Sequence, residues 1–170
     1  MSYEGNEIQG WMNTAELRCL YHKAKEMDSV VEIGCWKGRS SHALLSGCKG
    51  TVYCVDHFKG SIGERDNSHK EASEKDISKD FMDNVGSFKN LVLYNMDSVV
   101  ASKMFEDKSV DMVFLDGSHD EDSFEADLNA WIPKCKKVLM GHDYDTIKNV
   151  LFRHFQYVPE LEHSIWAVTL

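Results

Sequence analysis

The chain lacks any apolar run near the ~20 residues needed to cross a bilayer. Its opening residues, MSYEGNEIQG, carry no apolar core of the kind a signal peptide needs. Both absences predict a cytoplasmic protein with no membrane partner. Also missing is any C-x-x-C pair: the five cysteines (Cys19, Cys35, Cys48, Cys54, Cys135) are odd in number and widely spaced. That pattern argues against a zinc site or a disulfide frame and predicts free thiols in a reducing compartment. Positive charge is short as well. Lys and Arg number 19 against 28 Asp and Glu, a net charge of −9, whereas a nucleic-acid surface normally needs a basic face to release counterions. A small or sugar-like substrate is the more natural partner. No internal repeat or linker interrupts the 170 residues, a length that suits one domain with one sizeable core.

What is present is an alternation of strands and helices. Asn13 followed by Glu16 reads as a helix N-cap with its capping-box partner, and Leu17, Leu20, Tyr21, Ala24 and Met27 recur at helical spacing behind it. Just before, Gln9 to Met12 either folds over a ligand or plugs the underside of that helix. Strands are expected at 29–34, 51–55, 91–94, 110–115 and 137–140, with a final one at 164–169 and a minimal one near 156–159. Helices are expected at 39–46, 77–85, 99–105, 123–132 and 146–155, the one at 123–132 stopped by Pro133. The polar stretch from Gly60 to Lys79 reads as an acceptor lid or a solvated loop. Strands alternating with helices imply a parallel sheet covered on both faces, with ligands outside the carboxyl ends of the strands. Glu32, Asp56, Asp97, Asp116 and His142-Asp143 all fall at those ends.

The stretch Val30 to Leu45, VVEIGCWKGRSSHALL, organises the rest. A strand, a glycine-bounded turn and a helix N-terminus in that order form a nucleotide-type cradle, because unpaired N–H groups at the helix start point at the ligand. A dinucleotide site needs G-x-G-x-x-G so that backbone can approach a pyrophosphate. Here the glycines are Gly34 and Gly38, bulky Trp36 occupies the turn, and Glu32 brings negative charge. A ligand with a cationic amine and a sulfonium, and no phosphate, fits better. Asp56 follows Gly34 at about the offset where an acid bonds ribose hydroxyls. Asp97 is placed either to meet an adenine amino group or to cap the helix behind it.

These residues resemble motif I of the class I S-adenosylmethionine-dependent methyltransferases. The wider set, Gly10-Trp11-Met12, Val31 to Ser40, Asp56, Asp116 to His119 and Gly141 to Tyr144, resembles the branch holding the macrocin-type sugar O-methyltransferases and the cephalosporin hydroxylase-like proteins. The resemblance implies a single-domain Rossmann-like, doubly wound α/β fold. Its mostly parallel sheet would run 3-2-1-4-5, with an antiparallel C-terminal strand beyond strand five. It implies S-adenosyl-L-methionine as cofactor, with Glu32 and Gly34 beside its methionine part, Asp56 at the ribose and Asp97-Ser98 at the adenine. Trp36, Gly38, Ser40, His57 and Asp116 complete the expected contacts.

Asp116 and Asp143 end neighbouring strands about 4.8 Å apart. With His142 they could chelate one divalent ion, magnesium or manganese, that holds an acceptor hydroxyl and lowers its pKa. The resemblance implies magnesium held by acids at these positions, and His142 departs from it, standing where relatives carry a second acid. Histidine suits manganese, iron or zinc, or serves as a base. Asp116, His119 and His142 are the candidate catalytic residues. Asp120-Glu121-Asp122 reads as negative charge at a helix N-terminus, and His22, His42, His69, His154 and His163 as surface or packing residues. The expected activity is methylation of a hydroxyl on a sugar or small metabolite. Rival readings are a non-catalytic cofactor-binding module and a nicotinamide-dependent oxidoreductase. The acceptor and the oligomeric state are not legible in these residues.

Overall fold

Runs rich in Val, Ile, Leu and Tyr become seven strands in the computed structural model, which describes residues 4–61, 68–157 and 160–170. They are β1 (Ser29–Ile33), β2 (Thr51–Val55), β3 (Leu91–Tyr94), β4 (Val110–Leu115), β5 (Cys135–Gly141), β6 (Glu160–Glu162) and β7 (Ile165–Thr169). The sheet order is β3-β2-β1-β4-β5-β7-β6. The first five strands run parallel, and β7 pairs antiparallel with both β5 and β6. The expected order 3-2-1-4-5 with an antiparallel strand beyond it is therefore what forms. The minimal strand lies at Glu160–Glu162 rather than near 156–159, of which Val158 and Pro159 lie outside the described residues. All six residues of β4 are buried, as befits a central strand covered on both faces.

The helices are α1 (Thr14–Ala24), α2 (Arg39–Gly47), α3 (Ser68–Glu74), α4 (Ile77–Val85), α5 (Ser98–Ser102), α6 (Glu121–Trp131) and α7 (Tyr144–His154). Strand periodicity splits the core in two. Val30, Val52, Met112 and Phe114 face one way, onto Leu17, Leu20, Leu44 and Phe81 of α1, α2 and α4. Their neighbours Val31, Val113 and Leu115 face the other way, onto Leu128, Trp131, Val150 and Leu151 of α6 and α7. Each fully buried Leu or Phe stabilises by about 1.5–3 kcal/mol, so both helical layers contribute to holding the sheet between them. The capping box at Asn13 and Glu16 forms as expected. The polar stretch expected as a loop turns helical from Ser68, where α3 precedes α4; residues 62–67 of that proposed lid lie outside the described residues.

Candidate active site

The carboxyl end of β1 is tied through backbone to β2 on one side and to β4 on the other. Gly34 N–H donates to Val55 O at 3.0 Å and Asp116 N–H to Ile33 O at 2.8 Å. A Cβ on Gly34 would lie 2.1 Å from Asp116 O, and its φ is +82°, so only glycine fits there. The loop beyond it is tied down by Asp56. One carboxylate oxygen accepts the N–H groups of Cys35 at 2.8 Å and Trp36 at 2.9 Å, and the other accepts Phe58 N–H at 2.6 Å. This clamp holds Trp36 in the left-handed region at φ 47°. A segment from Asn6 to Met12 is strapped across the site by Arg39, whose guanidinium donates to the carbonyls of Asn6, Ile8 and Met12.

Between strap, cradle and strand ends opens a cavity of about 870 Å³. Most of the expected cofactor contacts line it: Gly34, Trp36, Ser40, Asp56, His57, Asp97, Ser98 and Asp116. Glu32 and Gly38 do not; they lie behind the wall. Strand alternation turns Glu32 onto the same face as Val30, under α2. There it is fully buried and accepts hydrogen bonds from the Ser41 hydroxyl and, at 3.4 Å, the Cys54 thiol. Burial pushes its pKa up, and its second oxygen has no hydrogen-bond partner. Gly38 faces Val85 and Phe81 of α4. Asp97 lines the cavity and also caps α5, accepting Val100 N–H at 2.9 Å. Trp11 and Met12 divide the two readings of their segment: Met12 is buried in the core, while Trp11 is 61% exposed at the cavity, 5.7 Å from the Trp36 ring.

A buried acid that lines the cavity was not among the candidates. Asp127 of α6 is buried and accepts the Ser98 hydroxyl, tying α6 to the start of α5. Burial raises its pKa to about 6, only partly offset by the Ser98 bond. Its place at the rim of an apolar helix face was the one signal in the sequence.

At the ends of β4 and β5 the expected groups do converge. His119 Nε2 lies 2.9 Å from Asp143 Oδ2 and 3.9 Å from Asp116 Oδ1. His142 Nδ1 lies 2.9 Å from the same Asp143 oxygen and 3.7 Å from Asp116 Oδ1. Its Nε2 meets Glu16 Oε1 of α1 at 3.1 Å. Burial opposes charge on His142, but the bond to Asp143 and the charges of Asp116, Asp143 and Glu16 outweigh it, raising its pKa to about 9. Burial lifts Asp116 to about 7 against the pull of His142 and His119. The bonds from His119 and His142 hold Asp143 below the usual carboxylate range. Both ring nitrogens of His142 thus face carboxylates, Nε2 toward Glu16 and Nδ1 toward Asp143 and Asp116. His57, His119 and His142 all line the cavity.

Comparison with known proteins agrees with this architecture. The family model described as a methyltransferase domain matches residues 31–144, from the cradle strand to the start of α7. The chain belongs to this methyltransferase family. None of the curated proteins compared matches it. Among solved structures, the methyltransferase chain superposes on a Corynebacterium glutamicum protein with a TM-score of 0.68 at 14% identity, covering 94% of this chain and 82% of the other. An O-methyltransferase from Bacillus cereus in complex with S-adenosylhomocysteine (SAH) gives 0.64 at 14% identity, covering 99% and 87%. A Staphylococcus aureus protein provisionally named a caffeoyl-CoA O-methyltransferase gives 0.62 at 15% identity, covering 98% and 87%. At these identities the likeness establishes the shared fold. The matched segment carries the cradle, Asp116, His119, His142 and Asp143 of this methyltransferase, whereas Glu16 lies outside it.

Proposed function

We propose that the protein is an S-adenosylmethionine-dependent O-methyltransferase acting on a hydroxyl of a sugar or other small metabolite. The observation that carries this reading is the joining of a phosphate-free cradle to a His–Asp cluster in one cavity of about 870 Å³, a volume within the range of small-molecule sites. Trp36 fills the turn where a pyrophosphate would need glycine, which disfavours a dinucleotide. Gly34, Ser40, Asp56, Asp97 and Ser98 are the residues placed to hold the cofactor; Asp56 has acceptor capacity left beyond its three loop bonds. When bound, S-adenosylmethionine supplies a methyl carbon already activated by the sulfonium charge. The chain's own task is to orient the acceptor and take its proton. His119 donates Nε2–H to Asp143, which orients the imidazole and stabilises the charge it gains, and the other ring nitrogen, Nδ1, accepts the hydroxyl proton.

The same cluster fits a divalent cation. One ligand atom each from Asp116, His142 and Asp143 lies within 4.8 Å of the others. Such an ion would hold the acceptor oxygen and lower its pKa. The histidine in the set favours manganese, iron or zinc over magnesium. The motif set Asp116 to His119 with Gly141 to Tyr144 supports a place in the macrocin-type branch. A thermal-shift assay tests the donor: SAH at 100 times its dissociation constant should stabilise by about 2.7 kcal/mol, a rise of roughly 5–11 °C. Stabilisation by NAD and not by SAH would overturn the assignment.

A further inference from the structure

Glu16 belongs to α1, remote in sequence from the cluster and outside the cavity wall, yet it is only 3% exposed. Its two oxygens do different work. Oε2 closes the capping box by accepting Asn13 N–H at 2.8 Å. Oε1 accepts Ser164 N–H at 3.2 Å, at the start of the antiparallel strand pair, and lies 3.1 Å from His142 Nε2. A carboxylate only accepts, so His142 donates its Nε2–H to Glu16. This settles the ring orientation: Nδ1 is turned toward Asp116 and Asp143. The flipped ring is disfavoured, because it would set carbon against Glu16 Oε1 in place of the Nε2–H donor.

We propose that Glu16 is a positioning residue for a divalent cation, holding His142 by Nε2 so that Nδ1 joins Asp116 and Asp143 in one nitrogen-and-oxygen donor set. Metal-ligating histidines characteristically donate their other ring N–H to a carboxylate or carbonyl, which fixes the ring and raises its basicity as a ligand. Glu16 supplies that partner from α1, and in doing so ties the N-terminal helix to the active end of the sheet. A site with a histidine in place of an acid needs such a partner, since an imidazole presents only one lone pair and must be aimed. The inference rests on the cation reading given above.

The test is titration of the full chain with Mn²⁺, followed by electron paramagnetic resonance of the free ion. Wild type should bind one Mn²⁺, and Glu16→Gln should weaken binding by roughly 10- to 100-fold. Asn13→Ala, which impairs the helix cap but leaves Glu16 facing His142, should bind like wild type. In a His142→Ala background, Glu16→Gln should cause no further loss. If Glu16→Gln does not fold, as judged by circular dichroism, Glu16→Asp replaces it, because the shorter side chain withdraws the carboxylate from Nε2. Equal Mn²⁺ affinity in wild type and the Glu16 variant would overturn the role of Glu16 alone. An equal loss in Asn13→Ala would do the same by assigning the effect to the helix cap. Absence of Mn²⁺ binding to wild type would overturn the cation reading and this inference with it.

Discussion

Replacing Asp127 by Asn should make this methyltransferase more stable at neutral pH. Asp127 is 7% exposed, lies against Ser98, and has its pKa raised from 3.8 to about 6 by burial. Below pH 4 the carboxyl is protonated in both folded and unfolded chains, and an amide of the same shape changes little. Between pH 4 and 6 the unfolded chain releases the proton while the folded chain keeps it, so the wild type loses stability as pH rises through that window. Above pH 6 the penalty is constant. A difference of about 2 pH units at 1.36 kcal/mol each gives an upper value of about 3 kcal/mol. Asn retains an oxygen to accept the Ser98 hydroxyl, so the α5–α6 tie survives. Urea unfolding of wild type and variant across pH 4 to 8 measures the effect. The two curves should coincide near pH 4 and separate steadily to pH 6, with the variant more stable. A pH-independent difference, or a variant less stable at pH 7, would show that the ionised carboxylate is compensated in the fold, contrary to the argument from burial. Asp127 also lines the cavity, which offers a reason for tolerating a costly buried acid: stability spent at a site is a familiar trade for function.

Two other outcomes follow from the site geometry. Gly34→Ala forces a Cβ to within 2.1 Å of a backbone carbonyl at φ +82°, and should cost at least ~3 kcal/mol; a thermal melt within 2 °C of wild type, set against the ~6 °C or more expected, would refute the close-approach argument. His119→Ala should lower turnover roughly 10²- to 10⁴-fold with SAH binding retained, read as SAH release across a panel of hydroxylated small molecules; undiminished turnover would remove His119 from the proton path.

The residues alone made the fold legible because its information is local and periodic. Apolar runs bounded by turns, the Asn13–Glu16 capping box and the acidic run Asp120-Glu121-Asp122 at a helix N-terminus announce the elements without reference to anything distant. The alternation of strand and helix then restricts the sheet to parallel crossovers, which sends the acids at strand ends to one edge. For Asp116, His142 and Asp143 this was sufficient, since each follows directly on the end of its strand, and His119 lies in the loop just beyond β4. It was insufficient for Glu32. One residue back from that edge, its direction depends on which face α2 covers, and only the packed sheet turned it under Ser41. Asp56 likewise reached the right edge, but the fold committed its carboxylate to three backbone N–H groups of neighbouring loops.

What the sequence by itself determined is thus the set of elements and the edge at which chemistry collects, while their order in the sheet came from the family resemblance. Only the tertiary structure paired Glu16 with His142, 126 residues apart, and Asp127 with Ser98. Such pairs carry no spacing signal, because they arise where a helix meets another element that is distant in the chain, the end of β5 for Glu16 and α5 for Asp127. The physical reason is range: periodicity specifies what each segment buries, whereas the partner of a buried charge is specified by the crossing of elements that the chain brings together only when the whole core closes.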